Sequence, residues 1–198
     1  MLLLFLSTFA CSTSASLCGS RPAHPQALFC AADFAFKAAI QGPSNAGSDG
    51  LVAYRMSIRT QFKIPSNFLQ ISEPELHQLW LPKNTSAELQ RPGKYLITGR
   101  LREVNGSLRL ESQSCRDWLQ PWDSVSHRHK ATLRKQLFAK GCHCLAGNSR
   151  HCLGQKGKKK GSQKREHCHW LHSYCMPKDE ANCKWAKSRQ LKACLAQP

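Results

Sequence analysis

The sequence predicts a mainly β fold: a small closed five-stranded barrel of the OB type with a flanking helix, followed by a small disulfide-stapled C-terminal subdomain. Three observations carry this. Alternating apolar and polar runs recur through the first two thirds of the chain, separated by stretches rich in Gly, Pro, Asn and Ser. Asn105-Gly106 sits between two such runs, 95–104 and 107–112, and a type I′ hairpin turn needs positive φ at both positions, which Asn and Gly adopt most readily. At Cys142 the composition changes. From there to Pro198 the chain is rich in Cys, Lys, His and Gly and poor in aliphatics, so cross-links must hold it.

Taken in order, Met1 to Ala10 is almost wholly apolar and small residues follow at Ser12 to Ser16. This is the pattern of a signal peptide over residues 1–17, too short to cross a bilayer. The protein is expected to be secreted, to the extracellular space or matrix, with no membrane span. Behind the leader, Cys18-Gly19-Ser20-Arg21-Pro22 opens a segment that closes at Cys30. Proline fixes φ and pushes its predecessor towards extended geometry, so Pro22 and Pro25 predict a stiff, poorly helical ridge pinned at Cys18 and Cys30. Such a ridge suits insertion into a cleft, because little ordering entropy remains to be lost.

Residues 33–40 predict a first strand with Phe34, Phe36, Ala38 and Ile40 on one face, and 42–50 predict a loop. Leu51 to Ile64 is a second, longer strand, Phe68 to Ile71 a short third, and 74–92 mostly loop. The Asn-Gly hairpin supplies the last two strands. Pro121-Trp122-Asp123-Ser124 announces a helix over 125–139, with Asp123 or Ser124 as N-cap and Leu133, Leu137 and Phe138 among its apolar positions. The expected domains are 18–142 and 143–198.

Export sets how the cysteines read. Eleven are present, and losing Cys11 with the leader leaves ten, an even number that fits a disulfide framework. The charge is lopsided: Lys and Arg exceed Asp and Glu by 3 over residues 18–124 and by 14 over 125–198. For an exported chain the matching polyanion is a heparin-like glycan of the matrix rather than nucleic acid, and the candidate contacts are Lys156, Lys158, Lys159, Lys160, Lys164 and Arg165. A solvated loop is the plainer account of the same run. Asn84-Thr-Ser and Asn105-Gly-Ser are candidate glycosylation sites. Seven of the nine histidines lie between His127 and His172. Finger-type zinc spacing is missing and export oxidises the cysteines, so surface imidazoles are expected rather than a structural zinc. No Ser/His/Asp order, HExxH or paired-carboxylate motif stands out, so no enzyme is expected.

The run Cys18…Pro22…His24-Pro25-Gln26…Phe29-Cys30 resembles the opening of the tissue inhibitors of metalloproteinases. Leu96-Ile-Thr-Gly-Arg-Leu101, then Cys115 and Pro121-Trp122-Asp123-Ser124, resemble that family's last hairpin and helix. Cys168-His-Trp, Cys175 and Cys183-Lys-Trp resemble its C-terminal subdomain. The resemblance spans most of the mature chain and implies a netrin-like OB barrel over 18–142 as the inhibitory domain, with 143–198 as the appended subdomain. It implies a metalloproteinase inhibitor with no cofactor of its own. The free α-amine and carbonyl of Cys18 would chelate the zinc of the target protease, with Gly19 in the specificity pocket and Ser20, Arg21 and Pro22 continuing the wedge. The alternative is a netrin-like matrix or signalling-protein binding module without protease inhibition.

The chain departs from the family pattern at two cysteines. Ser20 stands at the second position of the Cys-x-Cys opening, and no cysteine lies between Cys30 and Cys115. The resemblance then implies that the two survivors, Cys18 and Cys115, pair with each other, and that Cys30 pairs with Cys142. For the tail it favours Cys144–Cys183 and Cys168–Cys175, leaving Cys152–Cys194. Leader-cleavage rules prefer a small residue before the cut, and Ala15 or Ser16 fits better than Leu17, which bears on whether the Cys18 amine is free.

Overall fold

In the computed structural model the described residues are 23–47, 49–71, 76–83, 89, 91–113, 116–146, 152, 162–179 and 182–197. Helix α1 (Pro25–Ala31) precedes strands β1 (Phe34–Ala46), β2 (Leu51–Lys63), β3 (Gln78–Pro82), β4 (Gly93–Val104), β5 (Ser107–Glu111) and β6 (Leu119–Pro121). Helices α2 (His127–Arg134), α3 (Leu137–Lys140), α4 (His143–Ala146) and α5 (Ser162–His172) follow, then a small hairpin of β7 (Cys175–Pro177) and β8 (Cys183–Trp185), and helix α6 (Arg189–Ala196).

Strand order β1-β2-β3-β5-β4, with β4 pairing back onto β1, closes a five-stranded barrel. The one parallel pair is β3 with β5, aligned at Leu79–Leu110 and Trp80–Glu111. Closure leaves no free edge among these five strands, and β6 lies against β4 at Tyr95 to Ile97. The alternation in β1 does what its period demands. Phe34, Phe36, Ala38 and Ile40 point inward with Met56, Leu79, Leu81, Ile97 and Leu110, while Ala35 faces outward into a second cluster. The hairpin between β4 and β5 turns at Asn105 (φ 51°) and Gly106 (φ 78°), the positive angles of the type I′ turn.

Five expectations change. The ridge is not helix-free: Pro25 starts α1, because a proline at the first helical position lacks only a donor that would go unpaired there anyway. Strand β1 runs through the expected 42–50 loop to Ala46, turned by register shifts at Ile40/Gly42 and Pro43/Asn45, so only residues around 47–50 make the turn. Phe68 to Gln70 is a 3₁₀ turn rather than a strand, and it drops Phe68 edge-on against Phe36 at 5.5 Å between centroids. The third strand is β3, in the stretch expected as loop. Its Leu79, Trp80 and Leu81 are all buried, so it lacks the alternation of a half-exposed strand. The expected 125–139 helix is also broken. Trp122–Ser124 is a 3₁₀ turn, Ser126 rather than Asp123 or Ser124 caps α2 by accepting from the His129 amide, and Gln136 (φ 56°) separates α2 from α3.

A second apolar cluster fills the space between barrel and helices: Phe29, Phe62, Leu96, Trp118, Trp122, Leu133 and Phe138. The third is built of cystines, with Cys144, Cys152, Cys175 and Cys183 buried and Trp185 packed against them. The bridges are Cys30–Cys142, Cys144–Cys183, Cys152–Cys175 and Cys168–Cys194. The last two replace the expected Cys168–Cys175 and Cys152–Cys194. Cys168 lies on α5, which packs along α6, and this puts it 5.7 Å (Cα–Cα) from Cys194. Cys175 opens β7, which packs on α3 and α4, and meets Cys152 at 5.8 Å.

Candidate functional site

The expected ridge, Cys18, Gly19, Ser20, Arg21 and Pro22, lies outside the described residues, as do Cys115 and the Cys18–Cys115 pairing. What the structure defines is the seat directly behind it. Ala23 and His24 lead into α1, where His24 is the N-cap and its Nδ1 accepts from the Gln26 amide at 3.2 Å. The other end of α1 is held by the Lys63 ammonium, which donates to the carbonyls of Phe29 (3.3 Å), Cys30 (3.0 Å) and Ala32. These terminal carbonyls lack helical partners, and a cation suits the negative end of the helix. Burial lowers the Lys63 pKa, with Asp33 opposing that shift. The Cys30–Cys142 bridge ties α1 to the chain end of α3.

The seat is completed by the C-terminal subdomain. Gln26 is fully buried, and its Nε2 donates to the carbonyls of Cys175 (2.9 Å) and Phe138 (3.3 Å). Its Oε1 accepts from the Cys175 amide at 2.7 Å. All three polar functions of one side chain are satisfied, which a buried amide requires. Gly141 makes the approach possible: a Cβ there would overlap the Cys175 carbonyl and crowd Gln26 Nε2. Trp170 Nε1 donates to the Ala23 carbonyl at 3.2 Å, and the His24 ring packs on Trp185 at 5.1 Å between centroids.

The expectation of surface imidazoles holds for His127, His143 and His167, which are exposed, but not for His129, which is buried, nor for His169 and His172, which are half-buried. His129 is 3% exposed, edge-on to Trp118, and its Nε2 lies 3.1 Å from the Trp170 carbonyl. His169 packs against Trp185 in a tilted arrangement, with 4.7 Å between ring centroids. Burial pushes His24 and His129 down to about 4, outweighing the backbone hydrogen bonds that oppose it. Among the described residues the His/Cys cluster with donor atoms close enough for a metal is His143, Cys144 and Cys183, within 4.8 Å of one another. Its two sulfurs are joined to each other, so neither is a thiolate. The cue for the buried histidines was present in the sequence as His24-Pro25-Gln26 and His169-Trp170, but burial depends on how the subdomain docks.

Of the remaining candidates, Lys164 and Arg165 lie in the first turn of α5, while Lys156, Lys158, Lys159 and Lys160 fall outside the described residues. Asn105 is exposed at the hairpin tip, and Asn84 lies outside the described residues. No helix among the described residues is long and apolar enough to cross a membrane. A family model for tissue inhibitor of metalloproteinase matches residues 14–185. The chain therefore belongs to the tissue inhibitor of metalloproteinase family, extracellular proteins that inhibit metalloproteinases and are not themselves enzymes.

Proposed function

We propose that the chain is a secreted inhibitor that enters the protease cleft with Cys18 to Pro22 and chelates the catalytic zinc through the Cys18 amine and carbonyl. Zinc in such enzymes keeps a coordination position for water or substrate, and an amine with an adjacent carbonyl is a fitting bidentate replacement. The observation that carries this reading is the seat. Four anchors converge on Ala23 and α1, directly behind residue 22: the Cys30–Cys142 bridge, Lys63, Gln26 and Trp170. A segment held from behind loses little entropy on binding, which is what a wedge needs. Gly19 offers no side chain to a specificity pocket, so affinity rests mainly on chelation.

The test is a single added alanine before Cys18, made on material whose mature N-terminus has been sequenced. An amide nitrogen is a poor zinc ligand, so the extended protein should lose inhibition by about a hundredfold or more, a loss of transition-metal contact rather than of shape. An extended variant that inhibits as well as the parent would remove the chelation mechanism and favour a binding module in its place.

The excess of 14 positive charges over residues 125–198 supports a second activity, retention on heparin-like glycans. Binding by counter-ion release is salt-dependent and nearly independent of sequence. Replacing Lys158, Lys159 and Lys160 with Gln should lower the salt needed for elution from heparin, and elution at unchanged salt would take this loop out of the account.

A further inference from the structure

We propose that the C-terminal subdomain is positioning machinery for the inhibitory edge: it grips Ala23 to Gln26 and loosens that grip in acid. This rests on the inhibitory reading above. The argument starts from hydrogen-bond polarity at His24. Its Nδ1 accepts from the Gln26 amide, and its Nε2 lies 3.4 Å from the His169 carbonyl, which can only accept. One neutral tautomer, protonated on Nε2, satisfies both. A second proton must go to Nδ1, where it would face the Gln26 N–H and end the cap of α1. The same helix turn carries Gln26, whose three hydrogen bonds reach β7 and α3.

Among the described residues, hydrogen bonds to the backbone at His169 and Ser173 favour the new charge, and they are outweighed by burial. The titratable groups facing His24 are His129 of α2 and His169 of α5, while those facing His129 are Arg128 and His172, and Arg165 faces His169. No carboxylate is among them. His169 Nδ1 is itself buried without a hydrogen-bond partner among the described residues. His24 and His129 are held down to about 4 from the ordinary 6.5, mainly by burial. The released state therefore takes up protons first as pH falls. The grip is at full strength above about pH 6.5, weakens as pH falls from there to about 4, and levels off below that. Trp170 and Trp185 transmit the change to the backbone, since one donates to the Ala23 carbonyl and the other carries the His24 ring. No cysteine lies between Cys18 and Cys30, so Ala23 to Gln26 are held by these non-covalent contacts rather than by a cross-link of their own.

The test uses the full chain. Amide exchange at about pH 7.5 and about pH 5, corrected for intrinsic rates, should show protection at Gln26 and Cys175 falling about tenfold or more in the parent. In His24→Asn the fall should be about threefold or less, because asparagine caps a helix but takes up no proton. Inhibition constants against a zinc metalloproteinase catalytic domain, each referred to a small hydroxamate at the same pH, give the second readout. Gln26→Ala should weaken inhibition about tenfold at neutral pH, the parent should weaken as pH falls, and His24→Asn should give a flatter profile. Parent exchange that does not change with pH, or equal pH profiles for parent and His24→Asn, would overturn the proposal. An intact exchange signature in a chain that inhibits no metalloproteinase would overturn the inhibitory reading instead.

Discussion

Phe34, Phe36, Met56, Leu79, Leu81, Ile97 and Leu110 fill the barrel with apolar side chains contributed by five strands. The interior of the subdomain is Cys144, Cys152, Cys175 and Cys183, with one tryptophan against them. The first draws its stability from area removed from water, the second largely from loops closed in the unfolded chain. The two meet at a polar seam around Gln26 and Gly141. The difference teaches that the parts should fail separately: the barrel to cavities, the subdomain to reduction, and the seam to crowding.

The largest effect should come from the barrel. Phe36 is fully buried and touches both Phe34 and Phe68, so Phe36→Ala should lower stability by about 3–5 kcal/mol in denaturant unfolding. A loss below about 1 kcal/mol would break the comparison, since it would mean the barrel is not held by its apolar core. Next is the paired change Cys168→Ala with Cys194→Ala, which opens a bridge separated by 26 residues. It should cost about 3 kcal/mol, read as faster exchange in α5 and α6 while the amides of β1 and β4 keep their protection. Equal loosening of the barrel would show the two parts to be one cooperative unit. The smallest of the three is Gly141→Ala, which should cost about 1–3 kcal/mol by pushing β7 away from Gln26. It is expected as selective loss of protection at the Cys175 amide, and unchanged protection there would show that the seam accommodates a methyl group.

The parts of the fold that were readable in the sequence are those where one face is wet. Strand β1 shows its period because Phe34, Phe36 and Ala38 are buried while Lys37 and Ala39 are only half-buried. The Asn105-Gly106 turn declares itself through backbone chemistry alone. Strand β3 does not, because it is covered on both faces and pairs in parallel with β5, a partner 31 positions further along the chain whose place only the closed barrel fixes. Pro25 carried two meanings, rigid extended edge or first residue of a helix, and the N-cap His24 with the Lys63 ammonium beyond the far end decided for helix. The site divides in the same way. Cys30–Cys142 and Cys144–Cys183 followed from the family resemblance, whereas Cys168–Cys194 turned on α5 lying along α6 and Cys152–Cys175 on β7 packing against α3 and α4, contacts no spacing rule encodes. The histidines were visible as composition, and His127, His143 and His167 are on the surface as expected, but the burial of His129 and the half-burial of His169 are properties of the docked subdomain that composition does not carry.

Gln26 and Cys175 are 149 positions apart, and Cys30 and Cys142 are separated by 112. A chain made from its amino end meets these partners in a fixed order of time. The barrel strands can close once residue 111 has emerged, but α1 has nothing to dock on until α3 is made, and its seat is incomplete until β7 and β8 follow. Contacts of such span also close slowly, because the loop between them must be ordered first. The residues synthesised earliest are therefore among the last to be set in place. A chain cut short, or one whose tail cystines form late, would have an intact barrel but an α1 without its seat, so the final stretch of the chain decides whether Ala23 to Ala31 are set in place.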